Sequence, residues 1–198
     1  MVKNKKKCEY DGIEFDSDEE IEFYIFCQYL KKFGFIRDFK YNFKSYQLSD
    51  KKTYTDVVQL KTKTKKVEKH LLHPHEYTPD FWLYPTEAFK TVDFGLYTTT
   101  NVIIVDTKGN FQRNDGSRAF SINQKWMFDK HNIYVNKVIP EKLFKKYFCP
   151  DECKLTRVMK KPKKKYASFL DFQSWLKTLP KEQLACIAPF FTLNQKVN

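Results

Sequence analysis

Two acids and a lysine stand out by type and spacing. Asp80 follows Pro79, Asp106 closes the apolar run Val102-Ile-Ile-Val105, and Lys108 and Gly109 come after one intervening residue. In an extended strand residues i and i+2 project to the same face, so Asp106 and Lys108 are predicted side by side. A second carboxylate from a neighbouring strand, Asp80, would complete a compact site. Two carboxylates offer the hard oxygen ligands that suit Mg²⁺ or Mn²⁺. The lysine can position or help deprotonate a water and can stabilise charge on a phosphate under attack. The plain alternative is a strand terminated by Asp106 and a turn at Lys108-Gly109.

Those residues need elements to hold them. Ser17-Asp-Glu-Glu20 reads as a capping box opening a helix, with two apolar stripes that predict burial around much of its girth and Gly34 as its C-terminal stop. Glu20 can serve both as cap and, through a water, at a metal. Phe39, Tyr41 and Phe43 alternate with polar residues as a strand does. Tyr54–Leu60 reads as a strand or hairpin whose following lysines form a solvated or phosphate-facing edge. Residues 77–84 carry strand residues behind Pro79. Residues 85–100 read as a long loop with room for a short strand, and Val102–Val105 as a central strand buried on both faces. A second helix is expected from Ser121, with Gln124 as a cap or site residue. Lys125 is an exposed helical lysine or a phosphate contact, and Trp126 is core. Ile133–Ile139 returns as a strand. The order predicts an α/β fold with a mixed sheet.

Pro79-Asp80 with Asp106-Thr107-Lys108 resembles the PD-(D/E)XK nuclease signature, with Asp106 where Glu is commoner. The opening Asp11-Gly-Ile-Glu-Phe-Asp-Ser17, Glu20 and Phe33-Gly-Phe-Ile36 is similar to that of small phage-encoded nucleases of this superfamily. The likeness spans about residues 9–139. It implies a restriction-endonuclease-like core: a mixed β-sheet flanked by helices, over residues 9–150. A basic arm (1–8) would precede it and a basic C-terminal extension (151–198) follow. It further implies a junction-resolvase-like DNA endonuclease leaving 5′-phosphate and 3′-hydroxyl ends. Asp80, Asp106, the Thr107 carbonyl and, through water, Glu20 would hold Mg²⁺ or Mn²⁺. A homodimer able to cut two strands fits that family.

Composition agrees with an anionic partner. The formal net charge is +12, while 41% hydrophobic and 17% aromatic residues can fill a core, which excludes a wholly disordered basic chain. No apolar run reaches the ~18 residues of a membrane span, and the start MVKNKKKCEYDG lacks the apolar stretch of a secretory signal, so a cytoplasmic protein without membrane contact is expected. Arginine occurs only at Arg37, Arg113, Arg118 and Arg157. Lysine contacts phosphate as a point charge, whereas guanine readout favours arginine, so duplex or branched DNA read by shape is the expected substrate. Lys160, Lys161, Lys163, Lys164 and Lys165 form a basic linker read as a solvated arm that also touches phosphate. A non-catalytic DNA-binding protein is the rival reading. The five scattered cysteines are expected as free thiols. Cys149 and Cys153 have no second ligand pair nearby. His70, His73 and His75 cluster more tightly, but read better as a solvated loop than as zinc ligands.

Overall fold

In the computed structural model, which describes residues 8–110, 114–185 and 187, the capping box at Ser17 closes. Ser17 is the N-cap of α1 (Asp18–Lys32), and its Oγ accepts the Glu20 amide at 3.2 Å. Glu20 answers by accepting the Ser17 hydroxyl at 2.9 Å and the Asp16 amide at 3.0 Å. The helix stops at Gly34 (φ +75°), whose amide donates to the Lys31 carbonyl at 3.1 Å. Glycine adopts that left-handed conformation without a Cβ penalty. Phe23, Phe26, Cys27 and Leu30 are wholly buried between these ends.

The helix packs on a four-stranded sheet. Its strands are β3 (Ile36–Tyr41), β8 (Phe81–Pro85), β9 (Ile103–Thr107) and β10 (Val135–Val138), in the order β10-β9-β8-β3. The β3–β8 and β8–β9 pairs are antiparallel and β9–β10 is parallel. A parallel pair needs a crossover, supplied here by α3 (Asn114–His131). Alternation divides the sheet into two faces. Phe81, Leu83, Ile103 and Val105 join α1 in the main core, while Trp82 and Ile104 meet Phe120 and Met127 of α3. All of β9 is buried, as a strand covered on both faces requires.

Two antiparallel pairs lie outside that sheet: β4 (Tyr46–Ser49) with β7 (His75–Tyr77), which packs on α3, and β5 (Lys52–Gln59) with β6 (Thr64–Leu72). Residues 54–60, expected as a strand or hairpin, thus form the first strand of a hairpin that runs on to Leu72. A further hairpin, β1 (Cys8–Tyr10) with β2 (Ile13–Phe15), turns at Asp11-Gly12, both at positive φ. Cys8, assigned to the basic arm, thus begins a strand; residues 1–7 lie outside the described residues.

Two elements differ from expectation. The second helix begins at Asn114, not Ser121, so Ser121 and Gln124 sit inside it and form no cap. Its first turn contains Asp115, Gly116 and Ser117, poor helix formers that disguise the start. Residues 85–100 hold α2 (Glu87–Val92), which buries Ala88, Phe89 and Val92. No strand forms there; six residues are too few to show helical periodicity.

The segment after Pro150 is not an outlying extension. After α4 (Pro140–Lys146) the chain makes short 3₁₀ turns and α5 (Phe172–Leu176), and Tyr166, Phe172 and Trp175 belong to the same core as α1. Phe172 stacks on Phe33 at 3.9 Å between ring centroids, and Trp175 lies 5.1 Å from Phe148. The Tyr166 hydroxyl donates to buried Glu22 at 2.5 Å, and Lys163 Nζ reaches the other Glu22 oxygen at 2.9 Å. The lysine run marks a change of composition, not a domain boundary. A chain ended at Pro150 is therefore expected to lose cooperative folding. Trp175→Ala in the full chain should cost about 3–5 kcal/mol in urea denaturation. A truncated chain melting like the full one would contradict this packing.

Candidate active site

The register of β8 on β9 builds the site. Phe81 pairs with Val105, so one step further along the antiparallel pair Asp80 faces Asp106. Asp80 stands immediately before β8, and its side chain turns onto β9. There Asp80 Oδ2 accepts both the Thr107 amide and the Thr107 hydroxyl, each at 2.6 Å. The other oxygen, Oδ1, has no hydrogen-bond partner among the described residues. The Asp80 amide plane is held from behind, since its carbonyl accepts the Asn42 amide at 2.8 Å.

Asp106 is 3% exposed. It accepts the Tyr77 hydroxyl on Oδ2 and is ion-paired through Oδ1 with Lys108. The i, i+2 relation predicted from the strand is thus realised as a direct contact. Lys108 Nζ also donates to the Thr107 carbonyl at 3.0 Å. Phe120 of α3 lies beneath this ammonium and beneath that of Lys137, with ring centroids 5.9 and 5.8 Å away. Lys137 is the cross-strand partner of Asp106 on β10, so a second cation borders the site.

Glu20 stands to one side. Its Oε2 accepts the Tyr41 hydroxyl at 2.5 Å in addition to the capping bonds. Burial pushes the Glu20 carboxyl above its ordinary range; the Tyr41 bond pulls the other way, and the nearby Asp80 charge raises it further. Burial likewise raises the Asp80 carboxyl, opposed by the Lys108 charge and the two Thr107 bonds. Tyr77 and Tyr41 are both driven up by burial, so they remain hydroxyl donors to the carboxylates.

The structure brings together Asp80, Asp106, Thr107 and Lys108. It does not bring Glu20 into a cluster of three acidic, histidine or cysteine side chains, and no such cluster exists among the described residues. The donor set nevertheless fits a hard divalent cation. Asp106 Oδ1 and the Thr107 carbonyl, two of the expected ligands, converge on one cationic atom, the Lys108 nitrogen. Asp80 reaches the same strand end with one oxygen to spare. Sequence reasoning missed Tyr77, Lys137 and the Thr107 hydroxyl. Tyr77 lies 29 residues from Asp106, a separation that no local pattern signals, whereas its place three residues before Asp80 was visible.

The other expected residues divide. Gln124 donates to the Val135 carbonyl at 2.6 Å, tying α3 to β10. Lys125 is exposed on α3, and Trp126, expected in the core, is 39% exposed and edge-on to His75. Lys163 and Lys165 lie 2.9 and 3.4 Å from Glu22, which ties them to the fold, while Lys160, Lys161 and Lys164 are exposed. The His70 and His73 rings lie 3.9 Å apart, tilted by 38°, but His75 turns away to Asn123. Cys8, Cys27, Cys149 and Cys153 form no disulfide with one another; Cys186 lies outside the described residues. Burial pushes the Cys149 thiol up to about 12, so it stands as the neutral thiol. No helix among the described residues is long and apolar enough to cross a membrane.

Compared with family models, curated proteins and solved structures, the chain has no match.

Asp80 gives a signed pH test. Its carboxyl is raised in the folded chain, so the folded state holds this proton more tightly than the unfolded state does. Its contribution to stability is complete below the ordinary value of 3.8 and is lost as pH rises through the folded value. Asparagine accepts the same Thr107 bonds without a charge. Asp80→Asn should therefore melt higher than the wild type at pH 7, with the difference closing as pH falls below about 4. A variant less stable at pH 7, by a margin that grows with pH, would contradict this assignment.

Proposed function

We propose that the chain is a Mg²⁺-dependent DNA endonuclease that hydrolyses phosphodiester bonds at the shared end of β8 and β9. The observation that carries the reading is the opposition of Asp80 and Asp106 across one strand pair, with Lys108 beside them. The order of elements supports it. A helix, three antiparallel strands, a crossover helix and a parallel strand are the arrangement that a restriction-endonuclease-like core requires, with Asp80 immediately before its second strand and Asp106 on its third.

Asp80, Asp106 and the Thr107 carbonyl would hold the cation, with Glu20 at one remove. When bound, Mg²⁺ supplies Lewis acidity to the phosphate and makes water a better nucleophile at neutral pH. The protein does the positioning. Thr107 fixes one oxygen of Asp80, and Tyr77 fixes one oxygen of Asp106, so both carboxylates meet substrate in a set orientation. Lys108 is only partly buried on a flexible stem, with 23% of its side chain exposed, so its ammonium can turn from Asp106 towards a phosphate oxygen. Lys137 adds positive charge on the β10 side. In the absence of a cation the acids repel phosphate, which makes cleavage and binding separable properties.

The lysine-dominated charge favours recognition of backbone and shape, and branched DNA is the substrate class we assign. Asp106→Asn keeps hydrogen-bonding partners for Tyr77 and Lys108, because the tyrosine hydroxyl can accept as well as donate. It should lower Mg²⁺-dependent cleavage by at least ~100-fold. Duplex affinity in EDTA should hold or rise, since one like charge is removed from the phosphate path. The assay compares linear, nicked, flapped and four-way junction DNA. A folded variant that cuts at the wild-type rate would overturn the site, and equal cutting of every form by the wild type would overturn the branched-DNA preference. No cutting by the wild type, with salt-sensitive binding, would favour a DNA-binding protein without catalysis.

A further inference from the structure

The β5–β6 hairpin is not used by the site, yet the sequence spends more than twenty residues on it. Its two strands pair with each other from Lys52–Leu72 to Gln59–Thr64. Neither contributes a residue to either hydrophobic core, and almost every position is exposed. Eight residues of strand reach roughly 27 Å at ~3.4 Å per residue. An isolated two-stranded ribbon is marginal in water, so a ribbon of this length outside the core calls for a partner.

Its charges are sorted along its length. In the half near the body, Asp56 is ion-paired with Lys69 at 2.5 Å and Glu68 accepts the Thr53 hydroxyl at 2.6 Å. Between Val57 and Val67, at the far end, there are Lys61, Lys63, Lys65 and Lys66 and no acidic residue. All four lysines are exposed, and among the described residues none pairs with an acid. The cross-strand register sets Lys66 opposite Val57 and Lys65 opposite Val58, so the two lysines occupy opposite faces, while Lys61 and Lys63 sit in the turn. Positive charge therefore surrounds the tip instead of lining one face.

The root of the ribbon is the site itself. The hairpin continues β4 and β7, and β7 ends at Tyr77, whose hydroxyl holds Asp106. His75 Nε2 is 2.8 Å from the Asn123 amide oxygen, and His131 Nε2 lies 3.1 Å from the Gln47 carbonyl, so α3 braces both strands of the root. A substrate at Asp80 and Asp106 would thus lie at the foot of a braced ribbon with a cationic end.

We infer that the β5–β6 hairpin is a DNA-binding arm, whose Lys61, Lys63, Lys65 and Lys66 engage the phosphates of a duplex away from the scissile bond. The inference rests on the DNA reading of the site and specifies which surface holds that DNA. A duplex fits the arm better than a single strand does. The tip has no aromatic residue on which bases could stack, and a two-stranded ribbon with charge on both faces matches a B-form major groove bordered by phosphates on both sides. The deep, narrow major groove of A-form RNA would not admit it.

The test is the salt dependence of duplex binding in EDTA, for the full-length protein and for a variant in which the four tip lysines are changed to glutamine. Each phosphate contact contributes about −0.9 to the slope of log K against log salt. Loss of all four should make the slope shallower by about 3–4 and weaken binding at least tenfold at ~0.1 M salt, with the melting temperature unchanged. Changing Lys142, Lys145, Lys177 and Lys181, exposed lysines given no part in DNA contact, to glutamine gives a charge-matched control, expected to alter the slope less. An unchanged slope in the tip variant, or an equal change in the control, would overturn the arm. So would an effect confined to duplex RNA. Because no metal is present, the outcome is independent of catalysis. A wild type that cuts with an unchanged tip slope refutes the arm alone. A wild type that never cuts, with the slope reduced, refutes the nuclease reading alone.

Discussion

Asp106 is a carboxylate taken almost entirely out of water, and such a group survives in a fold only if its charge is met from several sides. Tyr77 meets one oxygen and Lys108 the other. Each contact constrains a different part of the chain. Lys108 must lie on the same face of the same strand, which the i, i+2 spacing ensures. Tyr77 must come from outside the sheet, so β7 has to pass close over the end of β9. The second core, with Tyr46, Leu48, Trp82, Ile104 and Met127 beneath α3, holds that pass in place. The ribbon that grows from β4 and β7 inherits its position from the same requirement.

The opposite face of the sheet repeats the theme. On α1, Glu20 and Glu22 are both buried, two residues apart and facing different neighbours. Glu20 is satisfied locally by Ser17 and Asp16 and across the core by Tyr41. Glu22 is satisfied by Tyr166 and Lys163, more than 140 residues along the chain. Removing one partner of a buried charge is costly because the other is left exposed to a low dielectric. The segment after Pro150 is therefore bound into α1 by a charge as well as by Phe172 and Trp175. One helix thus ties one acid to its own N-terminal turn and to Tyr41, and a second acid to the segment after Pro150.

Local features were legible in the sequence. The capping box at Ser17, the stop at Gly34, the buried run of β9 and the pairing of Asp106 with Lys108 all depend on residues within four positions of one another. The alternation in β5 was legible for the same reason, whereas its partner β6 was hidden in a lysine-rich stretch. What stayed hidden depends on distant partners. Tyr77 and Asp106 meet across 29 residues, and nothing in Tyr77-Thr-Pro-Asp80 shows where the hydroxyl points. The lysines after Lys160 looked like one solvated run, yet Lys163 is drawn to an acid whose burial only the assembled helix reveals. Trp126 shares its face of α3 with Ile122, itself exposed, while Met127 and Phe120 turn inward; which face of the helix meets the sheet is set by tertiary packing and not by its local pattern. α2 is too short for periodicity to separate it from a loop.

If two carboxylates are held at the end of β9 to receive a divalent cation, the folded chain must bind one without DNA. Mn²⁺ titration followed by electron paramagnetic resonance measures this directly, with the melting temperature as a parallel readout. The wild type is expected to bind Mn²⁺ in competition with Mg²⁺, and to gain about 1.4 kcal/mol of stability at ten times the dissociation constant. Asp80→Asn and Asp106→Asn should each remain folded and lose most of that binding. A wild type that leaves millimolar Mn²⁺ free, or variants that bind it as the wild type does, would contradict the assignment of the site.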